Sequence, residues 1–293
     1  MVEDPLVSIV IPAFNAEAYL GEALESAIAQ TYSRWEAIVV VDSGCRDRTL
    51  EVAKSYAAKD ARIAVIEGPH ERMGASRNRG IAAAKGDFVA FLDADNLFAP
   101  QKLEKQMDVF ARDPACGISY GRIEHFYNDK PSVRYRNRNA EPIEGDPFKS
   151  LLWRNSINLL TVVIRKQILD EFGAFRGEWP ALDEQYLWIT LARHGARFVF
   201  LDAVVGLERL HRDSDSYRRG HIFDTARCFL EMLSALSREL PTDERERYAG
   251  DFRSLRRKWR RNLVIGWLMK TPPFAWIVYP WYRRRREKHF VMV

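Results

Sequence analysis

Short apolar runs alternate with amphipathic segments over the first 112 residues of the chain. The apolar runs have the length of buried strands and lie at residues 7–11, 36–41 and 62–66. The segments between them place apolar side chains at helical spacing and lie at residues 17–29, 47–58 and 73–84. Strands that alternate with helices predict parallel βαβ units with right-handed crossovers. We therefore predict an α/β fold for this half of the chain.

A fourth apolar run ends in two carboxylates. Residues 86–96 read GDFVAFLDADN, in which Asp93 and Asp95 follow the apolar residues and Asn96 comes next. Ligands of open α/β sheets collect beyond the carboxyl ends of the strands. A few hard oxygen ligands suit Mg²⁺ or Mn²⁺ shared with substrate phosphates. The same acids also suit a polar strand end that stops pairing and caps the helix after Pro100.

Other polar residues are expected at the same edge of the sheet, because parallel strands end on one side. An acid at the end of the second strand can hold a ribose hydroxyl or a base N–H, although an Asx turn explains it equally well. An arginine on the helix before the fourth strand can neutralise phosphate or stack on a base, or simply be solvated. These residues are Asn15, Asp42, Ser43, Arg77 and Asn78.

The pattern changes in the second half of the chain. Strands are predicted at residues 116–126 and 133–136, with a turn at 128–131 between them. A further strand at 158–165 leads into a helix that ends near residue 172. The segment after Trp179 then enters a helix that ends near His194.

The C-terminal region is helical, basic and aromatic. Residues 221–240 have helical periodicity, and 243–261 form a strongly charged helix rich in arginine. Residues 263–282 are apolar and aromatic, but three prolines and a lysine interrupt them, which argues against a membrane-spanning helix. Tryptophan, tyrosine and flanking arginines favour an interfacial segment on an anionic membrane surface. A helix packed on the preceding domain, and a basic tail that binds a partner protein, are the alternatives.

Composition narrows the class of protein. A hydrophobic fraction of 47 % in 293 residues supplies a core and excludes a disordered chain. The cysteines, Cys45, Cys116 and Cys228, are scattered, which fits a reducing compartment and shows no metal-ligand spacing. No secretory signal is visible, so we expect a cytoplasmic protein, peripheral on the cytoplasmic face of the membrane if the C-terminal segment is interfacial. Nucleic acid is not expected as a partner, because the aromatic residues form an apolar block instead of alternating with the basic ones.

The stretches VSIVIPAFNAEAYLGEALESAIAQTYSRWEAIVVVDSGCRDRT and GASRNRGIAAAKGDFVAFLDADN resemble the nucleotide-binding half of family 2 glycosyltransferases. These are inverting sugar transferases with a GT-A fold, and the resemblance spans nearly all of residues 6–112. It implies a GT-A type, Rossmann-like mixed and mostly parallel sheet flanked by helices. It also implies a catalytic domain over 1–220, with the donor side at 1–112 and the acceptor side at 113–220, and a helical tail over 221–293.

The resemblance assigns roles to residues of the donor side. It implies that Asp42 contacts the nucleotide, that Asp93 contacts the ribose or the metal, and that Asp95 holds Mn²⁺ or Mg²⁺ on the diphosphate. The remaining donor-side matches are Pro12 and Phe14 in the first loop and Arg77 and Asn78 in the family's Ala-Arg-Asn segment.

One departure concerns the nucleotide. Family members usually carry Asp-Asp-Gly-Ser after the second strand, and the second acid often contacts the base. Ser43 takes its place here, which leaves the nucleotide open between UDP and GDP. A serine hydroxyl can still hydrogen-bond a base or a ribose.

Further matches concern the reaction. The segment DEQYLW, beginning at Asp183, is similar to the Glu-Asp-x-x-Leu-Trp motif that supplies the general base. An acceptor hydroxyl must lose its proton as the bond to the diphosphate breaks, and the register favours Glu184 as the base, with Asp183 as the other candidate. The segment RLHRD resembles an Arg-x-His motif, in which His211 would bind the metal or the diphosphate, and Arg209 or Arg212 would offset the diphosphate charge. No Gln-x-x-Arg-Trp segment follows, so we expect one sugar to be added per encounter.

These matches predict an inverting, metal-dependent glycosyltransferase that uses a UDP- or GDP-sugar and a carbohydrate or lipid-linked acceptor. A nucleotidyltransferase is disfavoured, because no glycine-rich, lysine-bearing phosphate loop follows the first strand. A catalytically inactive module that binds a nucleotide-sugar or a membrane surface is the second hypothesis. Ser43 and the reversed order of Asp183 and Glu184 are the residues that favour it.

Overall fold

Four neighbouring parallel strands form one half of a mixed sheet in the computed structural model, which describes residues 4–137, 141–179, 181–210, 221–270 and 290–292. They run parallel to one another, as the predicted βαβ units require, and their order in the sheet is β3-β2-β1-β4. The strands are β1 (Val7–Ala13), β2 (Trp35–Asp42), β3 (Ile63–Gly68) and β4 (Phe88–Phe91). The helices that connect them are α1 (Leu20–Ile28), α2 (Thr49–Ala57) and α3 (Met73–Ala83).

The first strand is longer than the apolar run predicted. We expected Pro12 to stop it after residue 11, but β1 continues to Ala13. The pairing of β1 with β4 ends at Val10, so β2 is the neighbour that remains beside Pro12. Proline lacks a backbone N–H and is tolerated where one side of a strand is unpaired.

The second half of the sheet is largely antiparallel. Strand β8 pairs antiparallel with both β4 and β6 and so joins the two halves, while β9 runs parallel to β6 and antiparallel to β5. The strands of this half are β5 (Leu97–Phe98), β6 (Ile118–Tyr127), β7 (Lys130–Asn137), β8 (Val163–Arg165), β9 (Phe198–Leu210) and β10 (Phe290–Met292). Its helices are α4 (Lys102–Arg112), α5 (Pro147–Trp153), α6 (Lys166–Phe172) and α7 (Asp183–Arg193).

The predicted strand at residues 158–165 is only partly formed. Leu159–Thr161 is a 3-10 turn, and β8 begins at Val163. The Asn158 side chain accepts a hydrogen bond from the Leu160 N–H at 3.0 Å. This local bond offers the backbone an alternative to the sheet, which explains the short strand.

Each face of the sheet covers its own apolar core. In β1, Val10 belongs to one core, whereas Ile9 and Ile11 belong to the other. This alternation follows from the two-residue repeat of a strand. Because both faces are covered, β4 is wholly apolar and β1 is apolar except for the buried Ser8.

The C-terminal helices are α8 (His221–Glu239), α9 (Thr242–Arg247) and α10 (Ala249–Lys270). The single helix predicted over 243–261 is broken at Tyr248, whose hydroxyl donates to Asp146 Oδ2 at 2.6 Å and whose ring packs on Phe148. Phe229 of α8 and Phe252 of α10 are buried in the same core as Trp188 of α7. Within the described residues, none of the helices combines the length and the apolar character needed to cross a membrane.

Candidate active site

The carboxyl ends of β1, β2 and β4 lie at one edge of the sheet, as their parallel order requires. Asp42 is the last residue of β2, and Asp93 follows β4 after one residue. Helix α3 brings Arg77 to the same edge, and the start of α7 brings Glu184. The edge therefore receives ionisable residues from both halves of the chain.

Arg77 links the two halves. Its Nη2 donates to Asp93 Oδ1 at 2.8 Å, and its Nη1 donates to Glu184 Oε1 at 3.4 Å. The guanidinium lies 5.3 Å from the centre of the Phe175 ring, and the side chain is only 5 % exposed. Burial alone would lower the pKa of Arg77, but the carboxylates of Asp93, Glu184 and Asp183 outweigh it and raise the pKa. A permanent positive charge is thus held between two of the predicted site residues.

Glu184 combines a raised pKa with partial exposure. Burial raises the pKa of its carboxyl group to about 7, against the pull of Arg77 and with support from the negative charges of Asp93, Glu208 and Asp183. A base works best when its pKa lies near the working pH. Its side chain is 31 % exposed, so an acceptor can reach it.

Asp183 occupies a different environment. It is 7 % exposed, and its Oδ1 accepts a hydrogen bond from the Gly177 N–H at 2.8 Å. A Cβ atom added at Gly74 would lie 2.1 Å from Asp183 Oδ2, so the absence of a side chain at this position in α3 makes room for the carboxylate. Asp183 therefore fastens the start of α7 to α3 and to the loop that contains Gly177, while Glu184 faces Arg77.

Asn78 also serves this loop. Its Nδ2 donates to the Phe175 carbonyl at 2.6 Å, and its Oδ1 accepts from the Phe175 N–H at 3.0 Å. Both polar groups of the side chain are thus engaged with the residue whose ring packs on Arg77. The structure places Asn78 beside the predicted site, with its amide directed at the protein backbone.

Asp93 and Asp95 are both half-buried, on either side of the buried Ala94. Arg77 occupies Oδ1 of Asp93. Among the described residues, no group of three or more His, Cys, Asp or Glu side chains is arranged to hold a metal ion by itself. Two carboxylates nevertheless fit a hard divalent cation that shares substrate phosphate oxygens. His211, the third predicted ligand, lies outside the described residues.

Arg209 forms hydrogen bonds to the loop after β4 that contains Asp93 and Asp95, here called the acidic loop. Its Nε donates to the Asp95 carbonyl at 2.9 Å, and its backbone N–H donates to Asn96 Oδ1 at 3.0 Å. Its other two guanidinium nitrogens bond Asn128 and Glu22, at 2.6 and 2.7 Å. Each guanidinium nitrogen of Arg209 thus bonds a protein oxygen, and Arg212, the other arginine expected to offset the diphosphate charge, lies outside the described residues.

The predicted nucleotide side is formed by the loops after β1 and β2. Asn15 adopts a positive φ of 47°, and its Oδ1 accepts from the Arg46 N–H at 2.9 Å, which joins the two loops. Phe14 is 49 % exposed and Ser43 is exposed, whereas Pro12 is buried within β1. Phe14, Asn15 and Ser43 are thus the accessible members of this group.

Two residues near the site were not predicted. His70, in the loop before α3, contacts the Asp42 carboxylate through Nδ1 at 3.0 Å. Glu208, on β9, lies 3.0 Å from His125 Nδ1 and close enough to Glu184 to raise its pKa. A single histidine in a polar loop carries no pattern that marks it, whereas Glu208 stands directly before the Arg-x-His segment.

A family model described as Glycosyl transferase family 2 matches residues 8–176. An uncharacterized glycosyltransferase of Rickettsia felis is 32 % identical over 217 residues, which cover 72 % of this chain and 35 % of that protein. The UDP-Glc:alpha-D-GlcNAc-diphosphoundecaprenol beta-1,3-glucosyltransferase WfgD of Escherichia coli is 28 % identical over 195 residues, covering 66 % of this chain and 72 % of WfgD. The chain spans 35 %, 63 % and 59 % of the length of three similar curated relatives.

Two solved structures share the fold. The Staphylococcus aureus TarS 1–349 complex with UDP-GlcNAc gives a TM-score of 0.63 at 18 % identity, over 85 % of this chain and 72 % of that one. The mannosyltransferase PcManGT of Pyrobaculum calidifontis, in complex with GDP-Man and Mn²⁺, gives 0.62 at 18 % identity, over 96 % of this chain and 81 % of that one. The mixed α/β architecture and its C-terminal helices therefore match known glycosyltransferase structures.

Proposed function

The chain belongs to glycosyl transferase family 2, and from this premise we propose that it transfers a sugar from a nucleotide-sugar donor to an acceptor hydroxyl, with inversion at the anomeric carbon. The observation that carries the proposal is the contact of Arg77 with both Asp93 and Glu184. It joins the end of the fourth parallel strand, where donor phosphates are expected, to a carboxylate with a pKa near neutrality. One sugar is added per encounter.

Glu184 is the proposed general base. An acceptor hydroxyl has a pKa far above neutrality, so its proton must leave as its oxygen attacks the anomeric carbon. The Glu184 carboxylate takes that proton on the face opposite the departing diphosphate, and attack from this face inverts the configuration. Arg77 keeps both Asp93 and Glu184 close to a fixed positive charge, while Asp183 holds the start of α7 in place.

Asp93 and Asp95 are the proposed ligands of Mn²⁺ or Mg²⁺, with His211 as a further ligand. When bound, the cation neutralises the charge that develops on the leaving diphosphate. PcManGT, which shares the fold, is described in complex with GDP-Man and Mn²⁺, which supports the use of a divalent cation. Arg209 positions the acidic loop through the Asp95 carbonyl and the Asn96 side chain.

The donor nucleotide is UDP or GDP in this proposal. TarS is described with UDP-GlcNAc and PcManGT with GDP-Man, and both share this fold. Pro12, Phe14, Asn15, Asp42 and Ser43 form the nucleotide side of the site. Asn78 acts indirectly, through the backbone of Phe175.

A lipid-linked or cell-envelope glycan is the proposed acceptor. The name of WfgD specifies an acceptor linked to diphosphoundecaprenol, and WfgD covers 66 % of this chain. Such an acceptor places the enzyme at a membrane surface, and we propose a peripheral position on the cytoplasmic face.

Residues 271–282 of the predicted interfacial segment lie outside the described residues, but helix α10, which includes the first part of that segment, supports this placement. Arginines at 253, 257, 260 and 261 are exposed on one helical face, and Val264 and Trp267, 58 % and 53 % exposed, continue it. Asp251, the one acid in the α10 sequence, bonds Trp153 at 2.7 Å and lies away from that face. A face that combines arginines with an exposed tryptophan suits an anionic membrane surface.

An inactive binding module is the second candidate, favoured by Ser43 and by the order of Asp183 and Glu184. Calorimetry of UDP and GDP with Mn²⁺ or chelator, followed by donor hydrolysis, separates the two. We expect the wild type to bind the nucleotide in a metal-dependent way. Asp95→Asn should lose this binding, whereas Glu184→Gln should keep the binding and lose turnover. Asp87→Asn, an exposed aspartate at the other end of β4, is the matched control. Binding without any turnover by the wild type would favour the inactive module.

A further inference from the structure

We propose that His70 recognises the donor's nucleobase through the ring N–H of uracil or guanine. His70 comes from the loop between β3 and α3, and its side chain is 66 % exposed beside the buried Asp42. This inference rests on the proposed function, because it names the residue that selects the nucleotide of that donor. Family members usually carry a second acid at the position of Ser43. The hydrogen-bond acceptor on His70 would take over the role of that acid.

The Asp42 carboxylate is buried and already bonded by protein groups. Its carboxylate is 6 % exposed and accepts hydrogen bonds from the Gly44 N–H at 2.7 Å and the Glu71 N–H at 3.4 Å. Nδ1 of His70 lies 3.0 Å from each of its two oxygens. A base that approaches this strand end therefore meets the imidazole of His70 before it meets the carboxylate.

The backbone is shaped to receive this ring. A Cβ atom added at Gly44 would lie 2.9 Å from His70 Nδ1, closer than such atoms approach one another in proteins. A glycine at this position thus makes the contact between His70 and Asp42 possible. The Asp-Ser-Gly sequence after β2 consequently supplies both the partner of the imidazole and the space for it.

The contact with Asp42 fixes the tautomer of His70. An ionised carboxylate only accepts hydrogen bonds, so Nδ1 is the nitrogen that carries the proton in the neutral imidazole, and Nε2 of that form keeps its lone pair. Nε2 lies on the opposite side of the ring, and no residue in the described part of the chain bonds it. His70 therefore presents a hydrogen-bond acceptor to solvent at the expected base position.

Phe14 completes the surface. Its ring centre lies 5.0 Å from that of His70 with an angle of 31° between the planes, and it is 49 % exposed. An exposed aromatic face can stack on any base, so it supplies affinity without selecting among them. Selection falls to Nε2, which accepts a hydrogen bond from N3–H of uracil or N1–H of guanine. Cytosine and adenine carry a lone pair at the corresponding ring nitrogen, which would repel it.

The test is calorimetry of UDP, 3-methyl-UDP, CDP and ribose 5-diphosphate with wild type, His70→Ala and His194→Ala. If the donor base is guanine, GDP and 1-methyl-GDP replace the uracil pair. His194, which stacks on Phe172 at the far end of α7, is the matched control. We expect the wild type to prefer UDP over 3-methyl-UDP by about tenfold, the value of one hydrogen bond of ~1.4 kcal/mol.

His70→Ala should bind UDP about tenfold more weakly and lose the preference over 3-methyl-UDP, with unchanged affinity for ribose 5-diphosphate. Adding Ser43→Asp to that variant should restore part of the UDP affinity. Unchanged or tighter UDP binding by His70→Ala, while the wild type binds UDP, would overturn the role of His70 and leave the donor site intact. A wild type that binds no nucleotide would overturn the proposed function and this inference with it.

Discussion

At the scale of single residues, Glu184 makes the proposed chemistry testable through pH. The carboxylate accepts a proton only when it is ionised, and burial raises its pKa to about 7. We therefore expect kcat to rise with pH and to reach half of its maximum near pH 7. Glu184→Gln should lower kcat by about 100- to 10,000-fold, the contribution of a general base. The exposed Glu171→Gln on α6 is the control.

The free energy of unfolding should also depend on pH through Glu184. A carboxyl group whose pKa is raised by folding from 4.5 to about 7 stabilises the fold below the lower value. That contribution is lost as the pH rises through 7. Glu184→Gln should therefore gain stability relative to the wild type between pH 5 and 8 in denaturant titrations. A difference that stays constant over this range, or a flat kcat profile, would contradict the raised pKa.

Sequence alone left Asp183 and Glu184 as alternatives for a physical reason. Adjacent residues at a helix start point in directions about 100° apart, and which of them faces the site depends on contacts from distant segments. Here Gly74 leaves space for Asp183 and the Gly177 N–H donates to it, while Arg77 donates to Glu184. The motif fixed the position of the pair but contained none of these partners.

At the scale of secondary-structure elements, the packing of α3 on the start of α7 depends on Gly74. Alanine at this position would bring its Cβ within 2.1 Å of Asp183 Oδ2 and push α7 away from Arg77. We expect Gly74→Ala to lower the free energy of unfolding by about 1–3 kcal/mol, as overpacking does, and to reduce activity.

Gly250→Ala is the matched control for this substitution. Gly250 is also the second residue of its helix, and a Cβ atom there meets nothing within 4 Å. Alanine is a better helix former by about 0.5–1 kcal/mol, so this variant should be slightly more stable and fully active. Equal effects of the two substitutions in denaturant titration would refute the steric role of Gly74.

The acidic loop after β4 depends on Arg209 of β9. Arg209→Met removes the bonds to Asp95, Asn128 and Glu22 and should lower the free energy of unfolding by about 3 kcal/mol, because hydrogen bonds to a buried charged group contribute ~1.5–3 kcal/mol each. Because the loop carries the proposed cation ligands, the Mn²⁺ concentration needed for half-maximal activity should also rise. Arg197→Met, at an exposed ion pair, is the control. An unchanged Mn²⁺ requirement would assign Arg209 to stability alone.

A strand could be predicted from the sequence where its own residues form a contiguous apolar run. The apolar runs located β1, β2 and β4, which are buried strands bounded by polar residues, and also β3, an edge strand that is buried only at its two ends. Strand β9 was not predicted, since most of its residues are half-buried and it lacks a clean alternation. Its pairing with β6 shifts register twice near Gly121 and Arg122, which is a property of two distant segments.

At the scale of the whole molecule, the C-terminal helices extend the apolar core on which α7 packs. The sequence predicted helices after residue 220 but gave no indication of their partners. The apolar face of a helix shows that the helix packs on something, but it does not identify the surface on which it packs. In the structure, Phe229 and Phe252 pack into the core that contains Trp188, four residues after Glu184. The buried side of α10 thus supports the site, while its arginine face is turned outward.

That outward face yields a prediction for the whole molecule. Arg257→Gln with Arg260→Gln should weaken binding to phosphatidylglycerol vesicles by about 10- to 30-fold, because each arginine near an anionic surface contributes ~1 kcal/mol. Binding to phosphatidylcholine vesicles should be weak for every variant. Arg112→Gln with Arg197→Gln removes the same charge from another surface and should bind like the wild type. Equal losses in both double variants would mean that net charge, not the face of α10, holds the protein at the membrane.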